Sequence, residues 1–152
     1  MHSRSRRAVL ALLALLLLPW PATAALAPDV QKALESSKYV YISSTRKDGT
    51  LSQPAEIWFI VHDGAVYVGT RPTSWRVKRI KAGRPDAKIA VGKVDGPSFT
   101  ATGSLVADPS VQELMLKTYA KKYPEGWQTH ENAFREGFKD GTRVLVKYVP
   151  KN

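Results

Sequence analysis

The chain has 152 residues, with 23 Lys or Arg against 13 Asp or Glu, a formal net charge of +10. It contains no cysteine, which excludes disulfides, thiolate nucleophiles and cysteine-based zinc sites. The three histidines, His2, His62 and His130, have no metal-ligand spacing, so no metal site is expected.

Residues 1–24 read as a cleavable export signal. Arg4, Arg6 and Arg7 form a basic start, Ala8 to Leu18 is wholly apolar, and Ala22-Thr23-Ala24 supplies the small residues of a cleavage site. The apolar run is 11 residues long, well short of the roughly 20 that span a bilayer, and Pro19 and Pro21 break it. The expectation is a periplasmic or secreted protein with no stable membrane anchor after cleavage. Ser5-Arg6-Arg7, followed by apolar residues, looks like a twin-arginine signal for already folded cargo, although a general secretory signal fits the same residues. Cleavage leaves one domain, residues 25–152, whose length suits a single core. The loss of three arginines lowers the charge to +7. That balance fits an anionic ligand, an acidic membrane surface or nucleic acid, and export argues against nucleic acid.

Pro28 to Lys38 predicts a short helix with Val30 and Leu34 on one face and Pro28 in the first turn. Tyr39 to Thr45 is rich in β-branched and aromatic residues and predicts a strand, Lys47-Asp48-Gly49 a turn, and Leu51 to Val61 the returning strand, with Pro54 at an edge or bulge. Asp63-Gly64 closes a second hairpin into the strand Ala65 to Thr70, so that three strands run as a meander. Ser74 to Lys81 predicts a short basic helix ending at Gly83, and Ala87 to Val94 and Phe99 to Val106 predict two more strands.

Ser110 and Glu113 are spaced as a capping box for the longest helix, with Val111, Leu114, Met115, Thr118 and Tyr119 on its apolar face and Pro124-Glu125-Gly126 as its end. A shorter helix, His130 to Phe138, precedes a last strand, Arg143 to Tyr148. This order predicts a mainly β fold with added helices: a roughly six-stranded antiparallel barrel with peripheral helices.

The stretch Gln53 to Pro85 carries a family resemblance. Pro54-x-x-x-Trp58, Asp63-Gly64, Thr70-x-x-x-Ser74-x-Arg76-Val77 and Pro85-Asp86-Ala87-Lys88-Ile89 resemble the FMN-binding split-barrel proteins related to pyridoxamine 5′-phosphate oxidase, and the deazaflavin-dependent reductases of the same fold. The resemblance runs from about Tyr39 to Val106. It implies that the strand end at Gly69 and Thr70, with Arg71, Ser74 and Arg76, meets the phosphate of FMN. It further implies that Glu56, Ile57 and Trp58 lie against the flavin ring, and that Ser98 reaches a cofactor across a homodimer interface. Chemically, a phosphate monoester is held best by such charge-assisted hydrogen bonds.

The chain departs from the family pattern at three points. Arg76 stands where many members have lysine, and Trp75 stands where the oxidase has a second basic residue. The substrate-binding Trp and Arg of the oxidase have no counterpart, so vitamin B6 oxidation is not expected. No general acid or base stands out, and the catalytic residues stay unassigned; the flavin carries out hydride transfer in this family. His62 reads as a solvated turn residue and His130 as a helix-start residue. The expected function is flavin-dependent oxidation or reduction of a small molecule. F420 is the alternative cofactor, and a non-enzymatic haem- or flavin-binding barrel is the alternative of another class.

Overall fold

The computed structural model describes residues 24–151. The segment expected to be an export signal, with Arg4, Arg6, Arg7 and the apolar run, lies outside the described residues apart from Ala24.

Among the described residues, four helices and seven strands follow in the order α1 (Pro28–Ser36), β1 (Val40–Ser44), β2 (Ala55–Ile57), β3 (Ile60–His62), β4 (Ala65–Thr70), α2 (Trp75–Lys81), β5 (Asp86–Val91), β6 (Ser98–Val106), α3 (Pro109–Lys122), α4 (Pro124–Asp140) and β7 (Val144–Pro150). One antiparallel sheet has the strand order β2-β1-β5-β6-β7-β4-β3. Its two edge strands are consecutive in the chain, joined only by Trp58 and Phe59, so the sheet curls into a half-barrel.

The expected return strand Leu51 to Val61 is therefore two strands, one on each edge, and the expected meander of three neighbouring strands does not form. The reason lies in α3. Tyr119 donates its hydroxyl proton to the Trp58 carbonyl at 2.9 Å, and the Phe59 N–H donates to the Tyr123 hydroxyl at 3.1 Å. These side chains take bonds that a sheet neighbour would otherwise make, so the Trp58 carbonyl and the Phe59 N–H keep partners at the bend. At the β3–β4 hairpin, Asp63 (φ 47°) and Gly64 (φ 72°) adopt the left-handed conformations that a tight hairpin needs, as the sequence predicts.

Two apolar clusters cover the two faces of the sheet. Inside the barrel, Val40, Ile42, Val66, Val68, Ile89, Val91, Val146 and Tyr148 pack with Val30 and Leu34 of α1 and Val77 of α2. On the other face, Ile60, Tyr67 and Leu145 pack under Val111, Met115, Tyr119, Tyr123 and Trp127 of α3 and α4. Strand β4 is buried on both faces, and each fully buried side chain of this size contributes about 1.5–3 kcal/mol of transfer free energy.

The helical region differs most from expectation. Pro124 does not end a helix but occupies the first turn of the 17-residue α4, where its missing N–H costs nothing. His130 consequently sits mid-helix rather than at a helix start. Helix α3 is capped by Asp108, which accepts from the Ser110 and Val111 N–H groups at 3.0 and 3.2 Å, in place of the expected Ser110–Glu113 box. Leu116 is buried in its apolar face, whereas Leu114 is exposed.

Candidate cofactor site

Strand β4 ends at Thr70 because Arg71-Pro72 turns the chain and Pro72 has no N–H for the ladder. The Ser74 N–H closes this turn on the Arg71 carbonyl at 3.0 Å, and the Ser74 carbonyl accepts from Lys78 at 3.1 Å as α2 begins. The Ser74 side chain makes no capping bond. Its hydroxyl is left free at the junction of two cavities.

The larger cavity, about 610 Å³, is lined by Glu56, Ile57, Trp58, Gly69, Thr70, Arg71, Thr73, Ser74, His130, Phe134 and Arg143. That volume lies within the usual range for small-molecule and cofactor sites. Glu56 is held at its edge by the Tyr41 hydroxyl, which donates to Oε2 at 2.6 Å across the β1–β2 pair. Phe134 closes on the strand because residue 69 is glycine: a Cβ there would stand 2.6 Å from the Phe134 ring.

Trp58 does two things at once. It lines the cavity, and its indole is also packed between protein groups: parallel to Tyr123 at 4.3 Å and edge-on to Tyr119 and His130, each at 5.5 Å. Gly126 in the first turn of α4 sits close against the indole, where a Cβ would approach to 2.8 Å.

A smaller cavity of about 340 Å³ opens on the other side of Ser74, lined by Ile42, Ser44, Arg46, Ser52, Gln53, Ala55, Ser74, Trp75, Arg76 and Arg79. Three arginines and no carboxylate face it. The Arg79 Nη1 group donates to Ser44 Oγ at 2.6 Å and Arg46 Nη1 to the Leu51 carbonyl at 2.7 Å. Arg76 is different: its Nη1 is buried with no hydrogen-bond partner, and so is Ser74 Oγ. Burial pushes the Arg76 guanidinium below its ordinary pKa, but arginine stays charged in proteins. The Tyr148 hydroxyl is likewise buried and unpartnered, and its pKa is raised by burial while the Arg76 charge opposes that rise. A buried, unpaired cation costs several kcal/mol, and an anion supplied from outside relieves that cost.

The residues named from sequence thus divide. Glu56, Ile57, Trp58, Gly69, Thr70, Arg71 and Ser74 come together in the larger cavity, Arg76 joins Ser74 in the smaller one, and Ser98, at the exposed start of β6, lines neither. His130, Phe134 and Arg143 are additional wall residues that sequence reasoning missed. The expected helix His130 to Phe138 already put His130 and Phe134 one turn apart on one face; what no local signal gave is that this face packs against Gly69 and Trp58. Among the described residues, no group of three or more His, Asp or Glu side chains could hold a metal ion. No described helix is long and apolar enough to cross a membrane.

This architecture is the split barrel. A protein of Listeria innocua proposed to be a pyridoxamine 5′-phosphate oxidase aligns with a TM-score of 0.59 at 16% identity, over 81% of this chain and 91% of that one. The heme storage protein HutZ of Vibrio cholerae gives 0.58 at 11% identity, over 85% and 92%. An F420 reductase gives 0.53 at 20% identity, over 80% and 93%. No curated protein sequence matches the chain. Within the split-barrel class, the chain belongs to the family described as "Uncharacterized protein conserved in bacteria (DUF2255)", whose model matches residues 30–144.

Proposed function

We propose that the protein is an exported oxidoreductase that binds FMN across the two cavities and reduces or oxidises a small molecule. The observation that carries this reading is the pair of buried donors without partners, Ser74 Oγ and Arg76 Nη1, in a wall with three arginines and no carboxylate. A phosphate monoester would satisfy both donors through charge-assisted hydrogen bonds, with Thr70 and Arg71 beside it. The larger cavity is the place for the ring, against the Glu56–Trp58 edge and under Phe134.

When bound, FMN supplies the hydride chemistry. The residues of the chain hold the phosphate, orient the ring through the backbone of Glu56, Ile57 and Trp58, and exclude water with the Trp58 and Phe134 side chains. Titration of the protein with FMN, followed by flavin fluorescence, tests the assignment. Saturable quenching that weakens in Arg76→Ala supports it; a protein that takes up no flavin contradicts it.

F420 is the nearest alternative, since its phosphate would meet the same cluster and an F420 reductase shares the fold. A haem-binding role without turnover has one observation in its favour: His130 stands in the cavity wall, edge-on to Trp58. A Soret band lost in His130→Ala would select that reading over both flavins.

Two further parts of the proposal concern assembly and location. The protein is a homodimer in which Ser98 approaches the partner's cofactor; sedimentation as a monomer at working concentration would remove this part. Residues 1–24 direct export, and the Arg6-Arg7 pair sends the barrel out folded with its cofactor inside. Replacing both arginines with lysine should then leave loaded protein in the cytoplasm, whereas normal export of that variant would indicate the general secretory route.

A further inference from the structure

Arg71 and Arg143 face each other across the end of the β4–β7 ladder, and both line the larger cavity. The last pair of that ladder is Thr70 opposite Val144, so the register, continued by one residue, sets Arg71 opposite Arg143. Like charges directly opposite each other repel. None of the ion pairs among the described residues includes either arginine. Glu56, the one carboxylate among the residues lining this cavity, belongs to β2 and accepts from Tyr41 instead.

Arg143 is held in place by α4. Its N–H donates to the Gly137 carbonyl at 2.9 Å, and its stem fills the space over Gly137, where a Cβ would stand 2.5 Å from Arg143 Cγ. The guanidinium carbon lies 5.4 Å from the centroid of the Phe134 ring. Nη1 donates to the Thr142 carbonyl at 3.1 Å, the one side-chain hydrogen bond that Arg143 makes among the described residues. A guanidinium carries five N–H donors in a planar fork, so donors remain for a ligand. A carboxylate matches that fork in charge and geometry.

The cofactor phosphate does not need Arg143, because Ser74 and Arg76 stand ready for it at the smaller cavity. The arginine pair is therefore a second anion centre, in a wall that also presents Ile57, Trp58 and Phe134. We infer that the small molecule on which the protein acts is an apolar carboxylic acid, bound in the larger cavity as its anion. Its carboxylate lies between Arg143 and Arg71, and its apolar body lies against Phe134 and Ile57. Arg143 thereby determines specificity, selecting acids over their uncharged analogues. The inference rests on the proposed function only in calling the acid a substrate, since binding of the anion itself requires no FMN.

The test is calorimetric titration of the purified protein with benzoate and with benzamide, an uncharged counterpart of the same shape, before and after saturation with FMN. Benzoate should bind about tenfold or more tightly than benzamide in both states. In Arg143→Gln this preference should shrink toward unity, while the affinities for benzamide and for FMN stay within about twofold of the parent protein. Arg71→Gln should reduce the preference as well, and Arg143→Lys, which keeps the charge but not the fork, should fall between. Equal binding of benzoate and benzamide, a preference that survives in Arg143→Gln, displacement of benzoate by FMN, or tighter binding of inorganic phosphate than of benzoate would each overturn the inference. Its failure is distinguishable from failure of the flavin reading. Benzoate binding through Arg143 in a protein that takes up no flavin would remove the flavin alone, and FMN uptake without a preference for benzoate would remove the acid alone.

Discussion

Trp58 and Tyr123 lie parallel, with ring centroids 4.3 Å apart and planes inclined by 4°. The same tyrosine fastens the bend that splits the edge strand, since its hydroxyl accepts from the Phe59 N–H and donates to the Lys38 carbonyl at 2.6 Å. Tyr123→Phe keeps the stack and removes both hydrogen bonds. The expected loss is about 1–3 kcal/mol of stability, the cost of leaving buried partners unsatisfied. Urea denaturation measures it, and a change below about 0.5 kcal/mol would mean that the bend does not depend on this hydroxyl.

Arg76 separates binding from folding. Because its buried Nη1 has no partner within the chain, Arg76→Ala should leave the stability of the cofactor-free protein unchanged or raise it. FMN affinity should fall by about 1.5–3 kcal/mol, roughly 10- to 150-fold. Equal losses of affinity and stability would assign Arg76 a structural role instead.

Gly69 governs how closely α4 approaches β4. A Cβ at this position would meet the Phe134 ring at 2.6 Å and Met115 Sδ at 3.1 Å, so Gly69→Ala should destabilise by about 1–3 kcal/mol through overpacking. It should also weaken ligand binding in the larger cavity, because Phe134 forms part of its wall. Pairing it with Phe134→Ala should recover part of the loss, and additive losses in the double variant would show that the two positions do not meet.

Lys122 makes a pH-dependent contribution with a definite sign. Its pKa is about 8 in the folded chain and about 10.4 when unfolded, so between these values the unfolded chain binds the extra proton. Stability should therefore rise with pH across that window relative to Lys122→Met, and the difference should be flat below it. The rise will be smaller than the shift alone implies, because the amine is only half-buried. Denaturant midpoints of the two proteins from pH 7 to 10 test this. A difference that falls with pH would mean that the folded state favours the charged amine.

Much of the site was legible in the sequence because it is built from short-range signals. Asp63-Gly64 turns where turn chemistry requires, and the Thr70 to Arg76 segment runs strand, turn, helix as its β-branched residues, Pro72 and Ser74 dictate. Long-range partners decided the rest. No local pattern around Trp58 and Phe59 announces that tyrosines more than sixty positions later will take over their backbone bonds and divide the strand. Pro124 was ambiguous by nature, since the residue that stops one helix is also favoured in the first turn of the next, and that ambiguity hid the first turns of α4, with Gly126 against the Trp58 indole. Arg76 lines the smaller cavity and not the larger one, a choice that no local pattern around it announces.

The most direct measurement is the visible spectrum of the protein as its host produces it, with mass spectrometry of whatever heat releases. If FMN occupies the groove around Ser74 and Arg76, the protein is yellow, its absorption bleaches under dithionite, and the released compound has the mass of FMN. A Soret band, or a colourless protein that cannot be loaded with FMN, would contradict that assignment.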